Sequence, residues 1–114
     1  MLRPGAIAIR LCRYSGMNGR PPGALTGSFL TRSPGVIRPL TRELNTLPQP
    51  KGFYHCPMDD DKAILLLAGY RRTKPQEVII DTAGCGSATN GRTDRSGPSP
   101  QFGRLVEQLN ELLD

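Results

Sequence analysis

The side chains best suited to chemistry are the single histidine and the three cysteines, because imidazole and thiolate groups serve as nucleophiles and metal ligands. His55 adjoins Cys56, but neighbours on an extended chain point to opposite sides, so no Cys-His nucleophilic pair is predicted. Together with Cys12 and Cys85, these residues reach the ligand count of structural zinc but lack its close-spaced cysteine pairs. We therefore predict no catalytic residue, no metal site and no cofactor, and expect that the chain is not an enzyme.

Three adjacent carboxylates, Asp59, Asp60 and Asp61, form the densest charge in the sequence. Carboxylates bind calcium, but a calcium loop spaces its oxygen ligands and contains a turn glycine, and this segment has neither feature. The segment is interpreted as a solvated acidic turn that leads into a strand.

The net charge of +5 is unevenly distributed along the chain. Residues 1–50 contain seven arginines and one acid, Glu43, whereas residues 51–114 contain eight basic and nine acidic residues. The basic half allows an anionic partner, but scattered arginines usually form a solvated surface, and no nucleic-acid-binding module is visible. We predict no nucleic-acid partner and leave open an unidentified protein partner.

Two apolar runs must position the cysteines at their ends. Residues 63–70 (AILLLAGY) and 77–83 (EVIIDTA) are separated by a polar stretch that contains Pro75, which predicts a central β-hairpin. The unbroken first run predicts a central strand that is covered on both faces, with a helix on at least one of them.

Weaker alternation predicts two further strands, over 6–14 and 24–31. A Ser-Pro pair begins each predicted helix, at about 36–47 and at 100–113. Pro39 should break the first turn of the first helix and leave a regular helix from Pro39 to Leu47. The C-terminal helix should pack against the central hairpin.

These elements predict one α+β domain over residues 1–114, with a small antiparallel sheet and two packed helices. The similar leucine spacing of the two helices suggests a ββα-ββα arrangement. Segments 15–23, 48–62 and 86–98 are predicted to be rich in loops, with Asn90-Gly91 as a turn and Gly84 and Gly86 bending the backbone.

No stretch has the length of a transmembrane helix, and the apolar run Ala6–Ile9 is too short for a signal peptide. Cys56 and Cys85, in contrast, flank the hairpin and are well placed for a disulfide, which persists only in an oxidising compartment. A location outside the cell or in the cell envelope is therefore expected, with the export signal missing from this chain. If Met1 is the true start, the location is cytoplasmic.

Several segments carry a resemblance: LCRY at Leu11–Tyr14, the Leu44-Asn45 pair, YHCPMDD at Tyr54–Asp60, and Gly84-Cys85 followed by ATNGR at Ala88–Arg92. They resemble a set of small exported bacterial proteins and lipoproteins that has no established activity. The resemblance implies an exported, non-enzymatic binding or structural domain with an unknown ligand.

A second resemblance, to the subtilisin inhibitor-like family of secreted serine-protease inhibitors, rests on the Cys-Pro-Met run at Cys56 and the two strands that end at Cys85. It implies an alternative function in which Pro57, Met58 and Asp59 form a reactive loop with the scissile bond Met58-Asp59. The Cys56–Cys85 bridge would hold that loop rigid and reduce the entropy lost on binding. The chain departs from the family by lacking a partner for the early cysteine, by the acidic residues after Met58 and by an added helix.

Overall fold

A computed structural model describes residues 1–49, 62–96 and 99–114. Its core is a six-stranded antiparallel sheet with the strand order β2-β1-β3-β4-β5-β6. The elements, in chain order, are β1 (Ala8–Tyr14), β2 (Leu25–Thr31), α1 (Pro34–Asn45), β3 (Ala63–Gly69), β4 (Gln76–Asp81), β5 (Ser87–Thr89), β6 (Asp94–Ser96) and α2 (Pro100–Leu113). The α+β prediction is thus confirmed, with ββα followed by ββββα.

The predicted central hairpin is confirmed as β3 and β4, which pair antiparallel with Leu65 opposite Ile79. The segment predicted to be loop-rich, 86–98, in fact contains the small hairpin β5–β6. Its three-residue strands are too short to show a periodic pattern of apolar residues. Asn90-Gly91 forms the turn between them, as predicted, and Gly91 has a φ of +89°.

The core lies on one face of the sheet. Alternate residues of β3, namely Ile64, Leu66 and Ala68, are fully buried, whereas Leu65 and Leu67 are only half-buried. Both helices contribute to the same core cluster as the buried strand residues, so the prediction of cover on both faces of β3 is wrong for the described elements. An antiparallel sheet can leave one face to solvent, and neighbouring side chains partly shield its leucines.

Helix α1 is continuous from Pro34 to Asn45, so the expected break at Pro39 is wrong. Proline removes the hydrogen bond to the carbonyl of Gly35. Both residues are exposed, and water can therefore solvate that carbonyl. The apolar side chains Ile37, Leu40 and Leu44 hold the opposite side of the helix in the core.

Helix α2 begins at Ser99, whose hydroxyl oxygen accepts a hydrogen bond from the Phe102 N–H at 3.1 Å. The ring of Phe102 lies against Gly86, in the connection between β4 and β5. The other end of the helix reaches β1, where Arg13 contacts Asp114 at 2.9 Å. The helix therefore crosses the strands. Its buried residues share one core cluster with the buried residues of the predicted hairpin β3–β4, and the helix also comes close to β1 and β2.

Candidate functional site

A cleft of about 580 Å³ lies at the end of the sheet where β1 begins. Three parts of the chain surround it: the segment before β1, one side of α1 from Pro34 to Arg42 together with the preceding Arg32, and the turn after β3. This volume lies within the range of small-molecule binding sites, roughly 300 to 1,000 Å³. Its lining consists of Pro4, Gly5, Ala6, Ile7, Arg32, Pro34, Ile37, Arg38, Thr41, Arg42 and Arg71.

Four arginines give the cleft its charge: Arg32, Arg38, Arg42 and Arg71. All four are exposed, and no acidic residue is among the described residues that line the cleft. None of their guanidinium groups forms a hydrogen bond or an ion pair with a described residue. The cleft therefore presents four positive charges that the described chain leaves uncompensated.

The spacing of Arg38 and Arg42 places two of these charges on one side of α1, because residues four apart are neighbours on a helix. Like charges at this spacing destabilise a helix by roughly 0.2 to 0.5 kcal/mol. Arg42, in the last turn, recovers part of this cost from the helix dipole. An anion between the two guanidinium groups would remove the repulsion.

Arg13 shows how an arginine is compensated elsewhere in the same protein. Its guanidinium donates to Asn110 Oδ1 at 3.0 Å and to Asp114 Oδ1 at 2.9 Å, and also contacts Thr26. That arginine fastens α2 to β1 and has a structural role. The cleft arginines lack contacts of this kind.

Side-chain amides hold the first residues of the chain in place. The carbonyl of Met1 accepts hydrogen bonds from Asn90 Nδ2 at 2.8 Å and from Gln76 Nε2 at 3.3 Å. Asn45 pairs with Leu2 through both its oxygen, at 2.7 Å, and its nitrogen, at 3.0 Å. The segment that forms one wall of the cleft is thus anchored to α1, to β4 and to the turn between β5 and β6.

Arg3 anchors the same segment to the turn after β3. Its guanidinium carbon lies 4.7 Å from the centre of the Tyr70 ring, and its side chain donates to Thr73 Oγ1 and to the carbonyl of Lys74. The Tyr70 hydroxyl donates to the Arg3 carbonyl at 2.9 Å. Burial raises the pKa of Tyr70 above its usual value, and the charge of Arg3 opposes this shift in part. Arg3 is therefore engaged in structure, unlike the four arginines of the cleft.

Apolar side chains complete the lining. Ile37 is 4% exposed and forms the buried part of the lining, and Ala6 is half-buried beside it. Ile7 is 44% exposed although it is a large hydrophobic residue. Its backbone N–H donates to the Gly69 carbonyl at 2.8 Å, which fixes the wall to the end of β3. The cleft thus joins a cationic surface to an apolar one.

The residues singled out in the sequence do not lie in this cleft. His55, Cys56 and the proposed reactive loop Pro57–Asp59 fall outside the described residues. Cys85 is half-buried in the connection between β4 and β5. Because Cys56 lies outside the described residues, the Cys56–Cys85 bond stays a prediction. The alternative function as a protease inhibitor also stays a prediction, which an inhibition assay with a subtilisin-type protease tests.

Cys12 has a free thiol, half-buried on β1, on the sheet face opposite the helices. Within the described ranges, no three His, Cys, Asp or Glu side chains come together as a group able to hold a metal ion. Over the same ranges, neither helix has the length and hydropathy needed to cross a bilayer.

Sequence reasoning missed the cleft arginines because it interpreted them as a scattered solvated surface. One signal was available: Arg38 and Arg42 share a helix side and have no acid between them. Arg32 and Arg71 gave no such signal, because only the fold brings their distant chain positions to one cleft.

Comparison of the chain with protein-family models, with curated proteins and with solved structures finds no match. The function must therefore be inferred from the cleft itself.

Proposed function

We propose that this chain is a non-enzymatic binding domain that holds an anionic ligand in the arginine cleft. The observation that carries the proposal is the convergence of four arginines without partners among the described residues. Guanidinium groups form charge-assisted, often bidentate hydrogen bonds with carboxylates and phosphates. Such groups are therefore the chemical class that the cleft suits best.

The composition of the lining supports binding rather than turnover. Arginine stays protonated in proteins, so it does not exchange a proton with a substrate at ordinary pH. The described lining includes no histidine, cysteine, lysine or acid, which are the usual groups for proton transfer and covalent catalysis. The arginines can nevertheless orient and neutralise an anion.

Export remains part of the proposal, on the strength of the predicted Cys56–Cys85 bond and the resemblance to small exported bacterial proteins. In an extracellular or cell-envelope setting the domain would capture a soluble anion. The ligand site does not depend on this location.

Isothermal titration calorimetry at low ionic strength tests the ligand class, with inorganic phosphate, pyrophosphate and citrate as probes. The double variant Arg38→Gln/Arg42→Gln should bind the best of these probes at least about tenfold more weakly than the parent, which corresponds to about 1.4 kcal/mol. Glutamine keeps much of the side-chain length and removes the charge. Binding by the parent should also weaken as salt screens these exposed charges.

The matched control is Arg20→Gln/Arg104→Gln. Both of these arginines are exposed, lie outside the lining of the cleft and have no side-chain partner among the described residues. The control has the same net charge as the cleft variant, and its affinity should stay within about twofold of the parent. Equal losses in the two variants would show that binding follows total charge, which would refute the cleft as the site.

A further inference from the structure

We infer that the ligand is a small amphiphilic anion, with its charged group at the arginines and its apolar part against Ile7 and Ile37. This inference rests on the proposed function and narrows the ligand class. The observation behind it is that a large exposed hydrophobic side chain and four uncompensated cations line one cleft.

Ile7 is the informative residue. It belongs to an anchored wall, because its N–H donates to Gly69 and the segment before it is fastened through Met1, Leu2 and Arg3. Its 44% exposure is therefore a property of a fixed surface. A ligand that carries hydrocarbon beside its anionic group would remove that surface from water.

A purely polar anion would use only half of the lining. Phosphate or a polyphosphate would neutralise the arginines but leave Ile7 and the two lining prolines, Pro4 and Pro34, exposed to water. The apolar part of the lining gives affinity only to a ligand with an apolar portion.

The concave shape favours a single small molecule over a membrane surface. Ile37 is 4% exposed and lies inside the cleft, so it is not able to project into a bilayer. Interfacial proteins instead present a protruding apolar face that enters the lipid boundary. A ligand that leaves the aqueous phase and enters the cleft reaches both Ile7 and Ile37.

Calorimetry with monoalkyl phosphates from ethyl to octyl, each below its micelle concentration, tests the inference against inorganic phosphate as the reference. Affinity should rise by up to about fourfold per methylene, equivalent to about 0.8 kcal/mol, until the apolar lining is covered. In Ile7→Ser, this dependence on chain length should weaken while the affinity for inorganic phosphate stays within about twofold of the parent.

Ile79→Ser is the matched control. Ile79 is 45% exposed on β4, outside the lining of the cleft, so its loss removes a similar apolar surface from another place. This variant should keep the chain-length dependence of the parent. Far-UV circular dichroism of each variant verifies that the fold is retained.

The outcomes separate the two proposals. Phosphate binding that depends on Arg38 and Arg42 but not on alkyl length would overturn the amphiphilic class and leave the proposed function standing. Loss of the arginine dependence itself would overturn both. Two other results would also overturn the inference. In one, the affinity of Ile7→Ser depends on alkyl chain length as strongly as that of the parent. In the other, the protein binds only to vesicles that contain phosphatidylglycerol. In neither case would the apolar lining of the cleft hold the ligand.

Discussion

Gly86→Ala tests the closest approach between the sheet and α2. Gly86 has a φ of +81°, and a Cβ atom built on it would overlap Cε1 of Phe102 and lie 3.0 Å from two other ring atoms. A non-glycine residue at such a φ costs about 1 to 2 kcal/mol, and displacing a buried ring costs about 1 to 3 more. Phe102 is only 8% exposed, so little space is available for the ring to move. We therefore expect a loss of about 2 to 5 kcal/mol in the free energy of unfolding, from a total of roughly 5 to 15.

Gly91→Ala is the matched control for this prediction. Its φ is +89°, but a Cβ atom there would have nothing within 4 Å, so only the backbone cost of about 1 to 2 kcal/mol applies. Urea denaturation followed by circular dichroism gives both values. In a Phe102→Leu background the extra cost of Gly86→Ala should shrink, because the shorter side chain vacates the overlap. If Gly86→Ala destabilises the protein no more than Gly91→Ala does, the steric argument is wrong.

Three further outcomes are expected. Leu109 is fully buried, and Leu109→Ala should cost about 2 to 5 kcal/mol in thermal unfolding, whereas Gln108→Ala on the exposed side of α2 should change stability by less than about 0.5. Because the pKa of Tyr70 is raised, the folded state binds the hydroxyl proton more tightly than the unfolded chain does. The contribution of this proton to the free energy of unfolding should be fully present below about pH 10 and should be lost as the pH rises through the raised pKa. Tyr70→Phe should reduce this loss of stability at high pH. Mass spectrometry with and without reduction should find Cys56 bonded to Cys85. This bond would close a loop of about 30 residues and add on the order of 3 kcal/mol to the free energy of unfolding. Two free thiols at these positions would contradict the prediction.

The elements with a strong local pattern could be predicted from the sequence. The hairpin β3–β4 has two apolar runs around a proline-containing turn, and α2 has an apolar stripe after a Ser-Pro cap. Both signals act over short chain distances, so tertiary context does not reverse them. The hairpin β5–β6 lacked such a signal, although its turn residues Asn90 and Gly91 were identified.

The cleft could not be predicted because it depends on how the helix lies over the sheet. Helix α1 brings Arg38 and Arg42 beside Arg32, and the turn after β3 adds Arg71. Sequence shows the charges and, at best, their helix side, but it does not show which other segment faces them. The same reason accounts for the approach of α2 to β1 and β2, because its apolar stripe required a partner surface without specifying that these strands also lie beside it.

The pairing of β1 with β3 has a consequence for how the chain folds. Leu11 lies opposite Leu66, so this ladder closes over more than fifty residues, whereas β1–β2 and β3–β4 are local hairpins. When a long loop closes, conformational entropy is lost before the stabilising contacts form. Such pairings are therefore late steps in folding. Until then, β1 and β3 are open edges rich in apolar residues, and such edges favour pairing between chains. The centre of the finished sheet is therefore the part of the folding chain most exposed to misassembly.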